Sequence, residues 1–125
     1  MTPEIHAWLW AFLFTQGVEV PIWAYALRTQ RSLGPSRVTW PWWRCVAAGF
    51  GASAITHPFV WFAFPRYAFG GSYWGMVVQA EVFAVGVEAV YTGLLGLEDA
   101  LAWSIVANGM SLGLGLTSRS IFGWP

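Results

Sequence analysis

The chain alternates between long apolar segments and short polar connections, and this pattern predicts its secondary structure. Four apolar segments, at residues 7–27, 45–64, 73–97 and 101–116, are near the roughly 20 residues that a helix needs to cross about 30 Å of hydrocarbon. Long unbroken runs favour helices over barrel strands, because every backbone polar group inside a bilayer must be bonded within the protein. We therefore predict an all-α, polytopic membrane protein, a single domain over residues 1–125 with four transmembrane helices in a compact bundle.

Polar residues and helix breakers separate the four segments. The first connection contains the run RTQRSLGPSRVTWPWWR and the second contains PRYAFGGS, whereas only EDA separates the third segment from the fourth. A connection this short predicts that the third and fourth helices form a tight antiparallel hairpin. The first segment is full length and has no basic residue before it, so we expect a membrane span there rather than a cleaved signal peptide.

The composition is typical of a protein that lipid covers. Hydrophobic residues make up 57% of the chain and charged residues only 10%, whereas soluble domains have about 25% charged residues. The formal net charge is zero, which argues against the positive field of a nucleic-acid-binding protein. Cys45 is the single cysteine, so an intrachain disulfide and a cysteine-based zinc cage are both excluded.

Arginine and tryptophan positions predict how the bundle sits in the membrane. The first connection carries Arg28, Arg31, Arg37 and Arg44, whereas the second connection carries Arg66 and the tail carries Arg119. By the positive-inside rule, the first connection is cytoplasmic and both termini are outside. The default location is a prokaryotic plasma membrane. The tryptophans, which lie near predicted helix ends where rings contact headgroups, are Trp8, Trp10, Trp23, Trp40, Trp42, Trp43, Trp61, Trp74, Trp103 and Trp124.

Two short sequence matches suggest that the bundle consists of two 2-helix repeats. GVEV at 17–20 in the first segment matches GVEA at 86–89 in the third, and ASAITH at 52–57 matches ANGMSL at 107–112. Halves with two spans each have the same orientation, so an axis along the membrane normal relates them. Apolar sequences also contain matches of this length by chance, so an unrepeated bundle stays open as the alternative.

Four polar residues, one from each segment, are predicted to lie at a common depth. At a helical rise of about 1.5 Å per residue, Glu19 and Ser53 lie about 12 Å from the cytoplasmic ends of their spans, Glu88 about 14 Å and Asn108 about 10 Å. An ionised carboxylate at the centre of a membrane helix costs about 2.5–3.5 kcal/mol. Hydrogen bonding between helices is by itself a weak reason for a sequence to carry that cost. Hard cations, in contrast, prefer oxygen ligands such as these. Glu19, Glu88, Ser53 and Asn108 are therefore the candidate proton- or cation-binding site.

A second polar layer is predicted nearer the outside. It contains His57 and Glu81, with Thr56 and Ser111 on the same polar stripes. Glu81 and Glu88 are seven residues apart, which places them on one helix face. Inside a membrane such a face should meet protein or water rather than lipid.

These residues leave three functional classes open. The first is a protein that binds or conducts a proton or small cation. The second is a non-catalytic membrane subunit or scaffold that packs against partner spans, in which the polar cluster holds helices together. A homo-oligomer would enclose a transport pathway better than a single thin bundle, so it is expected with the first class. The third is an intramembrane enzyme with His57 and Glu81 as an acid–base pair. It is least favoured, because nucleophile, zinc-protease and phosphate-loop motifs are missing from the sequence. No cofactor is expected, since His6 and His57, the only histidines, lie at different depths.

Overall fold

The protein is predominantly helical in its computed structural model, which describes residues 2–31, 39–67 and 71–123. Its helices are α1 (Pro3–Thr29), α2 (Trp42–Phe62), α3 (Phe64–Tyr67), α4 (Tyr73–Leu94) and α5 (Ala100–Phe122). The four long helices correspond to the four apolar segments, so the all-α prediction is confirmed. Arg37 and Trp124, which enter the orientation and aromatic-belt predictions, lie outside the described residues.

Local sequence signals determine the helix ends. The Thr2 hydroxyl accepts a hydrogen bond of 3.4 Å from the backbone N–H of Ile5, so α1 begins several residues before the apolar run. Ser72 caps α4 in the same way, through a bond of 3.0 Å from the N–H of Gly75. Helix α5 continues beyond the apolar run until Gly123, whose φ of 67° is a left-handed conformation that favours glycine.

Three of the helices are long and apolar enough to cross a membrane. They are α2 with 21 residues, α4 with 22 and α5 with 23. Helix α1 is longer, with 27 residues, but it does not reach the same apolar character. Gln16 and Glu19 near its centre lower its hydropathy. The structure therefore supports a membrane location through α2, α4 and α5.

The four long helices form a bundle in which α1 and α4 lie at opposite corners. Helix α1 packs against α2 and α5, and α4 packs against the same two helices. One end of the bundle contains the N-termini of α1 and α4 with the C-termini of α2 and α5, and we call it the cavity end. The opposite end is called the closed end. The helices α1 and α2 are the N-terminal half, and α4 and α5 are the C-terminal half.

A packed apolar core fills the closed end. It consists of Trp23, Ala24, Ala26, Leu27, Cys45, Ala52, Leu97 and Ala107. Trp23 is fully buried, although its place near a predicted helix end suggests contact with lipid headgroups. Its backbone lies close to α2 because residue 49 is glycine: a Cβ on Gly49 would lie 2.8 Å from the Cβ of Trp23. Trp23 is therefore part of the core rather than of the aromatic belt.

Hydrogen bonds tie the end of α1 to the turn between α4 and α5. The Arg31 side chain donates from Nε to the carbonyl of Leu95 at 2.7 Å. The indole of Trp103 donates to Oε1 of Gln30 at 2.9 Å, and the backbone N–H of Glu98 donates to the carbonyl of Gln30 at 3.1 Å. These contacts connect the two halves of the bundle below the core.

The distribution of polar and apolar side chains is inverted relative to a soluble protein. Large apolar side chains on the outer surface are strongly exposed, including Val82 at 67%, Leu94 at 81% and Phe122 at 77%. The buried polar and charged residues are Gln16, Glu19, Ser53, Thr56, Glu88, Thr92, Ser104 and Asn108. Lipid can cover such an apolar exterior. Among the described residues, these buried polar groups have hydrogen-bond partners inside the bundle except for the side-chain amide of Gln16, which has none.

Candidate functional site: a buried carboxyl layer

Polar side chains from the four long helices meet in one layer inside the bundle. Glu19 on α1 and Glu88 on α4 are 2% and 1% exposed, and they approach from opposite corners. Within the described part of the chain, no hydrogen bond joins the two carboxyl groups directly. The helices between them, α2 and α5, supply the partners. We call this set the carboxyl layer: Glu19, Ser53, Thr56, Glu88, Asn108 and Ser111.

Glu19 has a hydrogen-bond partner at each carboxyl oxygen. The hydroxyl of Ser53 on α2 donates to Oε2, and the hydroxyl of Ser111 on α5 donates to Oε1. The first bond joins two helices of the N-terminal half, and the second joins the N-terminal half to the C-terminal half. Glu19 thus connects three helices.

Glu88 is held in the same manner from the other corner. The hydroxyl of Thr56 on α2 donates to Oε1 at 2.7 Å, and the amide of Asn108 on α5 donates to Oε2 at 2.7 Å. The Thr92 hydroxyl donates to the backbone carbonyl of Glu88 at 2.7 Å. Each acid therefore takes one side-chain partner from its own half and one from the other half.

The hydrogen bonds of the two acids are reciprocal. Ser53 and Asn108 each bind the acid of their own half. Thr56 and Ser111 each lie three residues further along and bind the acid of the other half. The two motifs ASAITH and ANGMSL thus contribute matching positions to the layer.

The hydroxyl groups of Thr56 and Ser111 each contact a second acceptor. Oγ1 of Thr56 lies 3.2 Å from the carbonyl of Ser53, and Oγ of Ser111 lies 3.0 Å from the carbonyl of Asn108. A hydroxyl has a single hydrogen. When that hydrogen goes to the backbone carbonyl, the carboxyl oxygen must supply a hydrogen of its own to keep its contact. The layer therefore fits both an ionised and a protonated acid without a change in helix positions.

The remaining contacts indicate which carboxyl oxygen would carry the hydrogen of a protonated acid. Asn108 uses its amide for Oε2 of Glu88 and for the carbonyl of Ser104 at 3.0 Å. Since this amide nitrogen only donates, Oε2 of Glu88 is an acceptor in both forms, and a protonated Glu88 would carry its hydrogen on Oε1. For Glu19, the oxygen that faces the two-acceptor hydroxyl of Ser111 is again Oε1.

A cavity of about 530 Å³ extends from the carboxyl layer to the cavity end. Glu19 and Glu88 line its floor, while the exposed residues Glu4, Tyr73 and Arg119 line its mouth. On the other side of the layer lies the packed core of the closed end. The two acids are therefore reached from one end of the bundle.

The residues predicted for the second layer divide into two groups. Thr56 and Ser111 belong to the carboxyl layer. Glu81 and His57 line the cavity wall, and His57 lies among aromatic rings, with centroid distances of 5.3 Å to Phe12 and 6.4 Å to Trp61. Nδ1 of His57 is buried and has no hydrogen-bond partner in the described residues. His57 and Glu81 thus share a cavity without forming a hydrogen-bonded pair.

Neither a metal centre among the described residues nor a similarity to known proteins assigns a function to this site. Among residues 2–31, 39–67 and 71–123, no group of three or more His, Cys, Asp or Glu side chains could hold a metal ion. The chain matches no protein-family model, no curated protein and no solved structure. Any functional assignment therefore depends on the carboxyl layer and the cavity.

Proposed function

We propose that this chain is a small integral membrane protein whose carboxyl layer binds and exchanges a proton or a small cation. The observation that carries the proposal is the position of Glu19 and Glu88. Both acids line the floor of a cavity that is open at one end and closed at the other by a packed core. A buried charged site that is accessible from one side at a time is the arrangement that a membrane carrier requires.

A proton fits the carboxyl layer better than a metal cation. The hydroxyl groups of Thr56 and Ser111 can turn between a carboxyl oxygen and a backbone carbonyl, so the layer accepts a proton without new ligands. An alkali cation would have to replace the donated hydrogens at several carboxyl oxygens at once. The small cation is therefore the secondary form of this proposal.

We include α1 as the fourth transmembrane helix. Its 27 residues extend over about 40 Å at a rise of about 1.5 Å per residue. The polar residues near its centre, Gln16 and Glu19, are buried, whereas Trp10, Leu13 and Tyr25 are exposed at 44%, 49% and 54%. This helix presents an apolar surface to its surroundings and a polar surface to the bundle, which supports a membrane span.

Two 2-helix repeats account for the reciprocal hydrogen bonds. In each half, one helix provides the acid and the next provides a pair of donors three residues apart: Ser53 with Thr56, and Asn108 with Ser111. Helices α1 and α4 run in the same direction. A pseudo-two-fold axis along the bundle therefore exchanges the two acids, and α2 with α5, as in parallel repeats of membrane transporters.

The arginines support an orientation with the cavity facing outward. Arg28, Arg31 and Arg44 lie at the closed end, and arginine-rich short connections remain on the cytoplasmic side. In this orientation a plasma membrane location exposes the cavity mouth to the outside. Arg119 lies at the mouth, and Arg66 in α3 lies at the same end of the bundle.

A second function is favoured by one feature of the same layer. Every oxygen of the Glu19 and Glu88 carboxyl groups has a protein partner. Such a saturated network also suits a scaffold or non-catalytic membrane subunit, in which the acids cross-link helices. Interhelical bonds of this kind contribute about 0.6 kcal/mol each on average.

Proton flux in liposomes distinguishes the two functions. Purified protein is reconstituted with an internal pH-sensitive dye, and a pH step is applied. We expect Glu19→Gln and Glu88→Gln to abolish the flux and Glu98→Gln to leave it unchanged, since Glu98 is exposed in the turn of the closed end. Flux that is absent from the wild type, or equal in all variants, would favour the scaffold.

A further inference from the structure

The cavity above the carboxyl layer is much larger than a proton site needs. Proton exchange requires only the carboxyl groups and their hydroxyl partners. The volume of about 530 Å³ falls within the range of about 300–1,000 Å³ that is usual for sites of small organic molecules. The space between the layer and the mouth can therefore hold an organic ligand.

The wall of this cavity combines apolar surface with acidic side chains. Val60, Trp61, Val77, Leu112 and Leu116 are among its lining residues. Carboxyl groups lie on the floor and, through Glu81, on the wall. The mouth carries one side chain of each charge, Glu4 and Arg119, and the Arg119 guanidinium lies 5.9 Å from the ring centroid of Tyr73. An anion would meet acids on the way in, whereas a cation with apolar substituents matches both properties of the wall.

Glu81 is an acid of the cavity that takes no part in the hydrogen bonds of the carboxyl layer. It lies two helical turns from Glu88 on the same face of α4 and lines the cavity. Within the described residues, no protein group donates a hydrogen bond to its carboxyl group. In the proposed repeat its position corresponds to Phe12, an apolar residue that packs against His57. Glu81 is therefore an additional acid, specific to one half, that faces open space.

An aromatic ring in the cavity that Glu81 lines provides a further contact for a cation. Trp61 lines the same cavity, and His57 stacks on it with an interplanar angle of 11°, whereas the ring of Tyr73 already lies beside Arg119. The face of an indole or phenol ring attracts a quaternary ammonium or a similar soft cation within about 6 Å. A carboxylate with such rings favours an organic cation over a strongly hydrated inorganic ion.

We propose that the cavity binds an organic cation with apolar substituents, an ammonium or phosphonium compound, and that Glu81 is its counter-ion. This inference rests on the proposed function, because it names the substrate class of the cavity whose floor exchanges a proton. The cation occupies the wall region between Glu81 and Trp61. The carboxyl layer below remains intact when the ligand is bound.

Binding of tetraphenylphosphonium to the purified protein in lipid nanodiscs tests the proposal. Isothermal titration measures the dissociation constant for the wild type, Glu81→Gln and Gly115→Leu. Gly115 lines the cavity, and a Cβ there meets only Phe14, at 3.8 Å, so a leucine fills space without adding charge. Glu98→Gln is the matched control for loss of an acid, and triphenylphosphine oxide is the neutral ligand of similar shape.

We expect saturable binding to the wild type, with affinity at least about tenfold lower in Glu81→Gln, a loss of about 1.4 kcal/mol. Gly115→Leu should weaken binding as well, Glu98→Gln should bind as the wild type, and the neutral oxide should not compete. Absence of saturable binding to folded wild type, or equal affinity in Glu81→Gln, overturns the inference. If proton flux still depends on Glu19 and Glu88 in that case, the proposed function stands and only the substrate class is wrong.

Discussion

The amide of Asn108 donates a hydrogen bond of 2.7 Å to Oε2 of Glu88, and this bond joins the two helices of the C-terminal half. In the N-terminal half the corresponding bond is donated by Ser53 to Glu19. An amide and a hydroxyl thus perform the same task at matching positions. Mutations that change these two bonds can therefore test the proposed repeat.

Replacing Asn108 tests the importance of this donor and its equivalence to Ser53. Asn108→Ala leaves Oε2 of Glu88 buried without a donor and should lower the free energy of unfolding by about 1–2 kcal/mol. Asn108→Ser introduces the residue type of the matching position, Ser53, and should lower the free energy of unfolding by a smaller amount. Unfolding in mixed dodecylsulfate micelles, followed by circular dichroism, measures both. Equal losses in the two variants would argue against equivalence.

Two buried threonines provide a comparison between bonds across helices and bonds within one helix. Thr56 donates to the Glu88 carboxyl group, whereas Thr92 donates to the backbone carbonyl of Glu88 on its own helix. Valine preserves the shape of each side chain but removes the hydroxyl. We expect Thr56→Val to cost about 1–2 kcal/mol of unfolding free energy and Thr92→Val less than about 1 kcal/mol. The reverse order would contradict a carboxyl layer that holds the helices together.

Glycine contacts predict opposite effects of the same substitution at two sites. A Cβ on Gly49 would lie 2.8 Å from the Cβ of Trp23, whereas a Cβ on Gly109 meets nothing within 4 Å. Gly49→Ala should therefore separate α1 from α2 and cost about 1–3 kcal/mol through overpacking. Gly109→Ala should stabilise α5 by about 0.5–1 kcal/mol through helix propensity. The unfolding assay described for Asn108 compares both variants; a stable Gly49→Ala protein would contradict the close approach of the two helices.

Thiol labelling tests which surfaces water reaches. Gly115 lines the cavity, whereas Gly113 is exposed on the outer surface and has nothing within 4 Å. In liposomes, a water-soluble maleimide should label Gly115→Cys and leave Gly113→Cys unlabelled, because lipid covers the latter. The native Cys45 is fully buried and should react only after unfolding, so it provides an internal reference. Absence of labelling at Gly115→Cys would show that the cavity is not water-filled in the membrane, and labelling of Gly113→Cys would show that lipid does not cover that surface.

The sidedness of two exposed threonines tests whether α1 spans the membrane. Thr2 precedes α1, and Thr39 lies before α2. With an impermeant maleimide and intact cells, Thr2→Cys should react directly and Thr39→Cys only after permeabilisation. Reaction of both from the same side would show that α1 does not cross. Opposite sides in the reverse order would retain the four spans and change only the orientation.

Much of the fold follows from the positions of apolar residues. The four long helices lie where long apolar runs predict them, and three of them have the length and hydropathy that a membrane helix requires. Their exact ends depend on single caps, such as the Thr2 hydroxyl before α1 and Gly123 after α5. Helix packing is harder to predict from the sequence. The burial of Trp23 in α1 depends on the glycine at position 49 in the neighbouring helix α2, so the sequence of α1 alone does not predict it.

The carboxyl layer was only partly predictable for a geometric reason. Depth along a helix places the Cα of Glu19 level with Ser53, and the structure joins these two residues. A glutamate side chain, however, extends towards the N-terminus of its own helix, which for α1 and α4 is the cavity end. Both carboxyl groups therefore also reach Thr56 and Ser111, which Cα heights assign to the outer layer.

The exchange of partners between halves links the two acids energetically. The Ser111–Glu19 bond and the Thr56–Glu88 bond both cross between the halves, so a rotation of one half against the other would act on both bonds. If the carboxyl layer binds a proton as proposed, loading of one acid would change the free energy of loading the other, and by thermodynamic linkage the effect would be mutual. In that case the interface between the halves would transmit cooperativity between the two carboxyl groups.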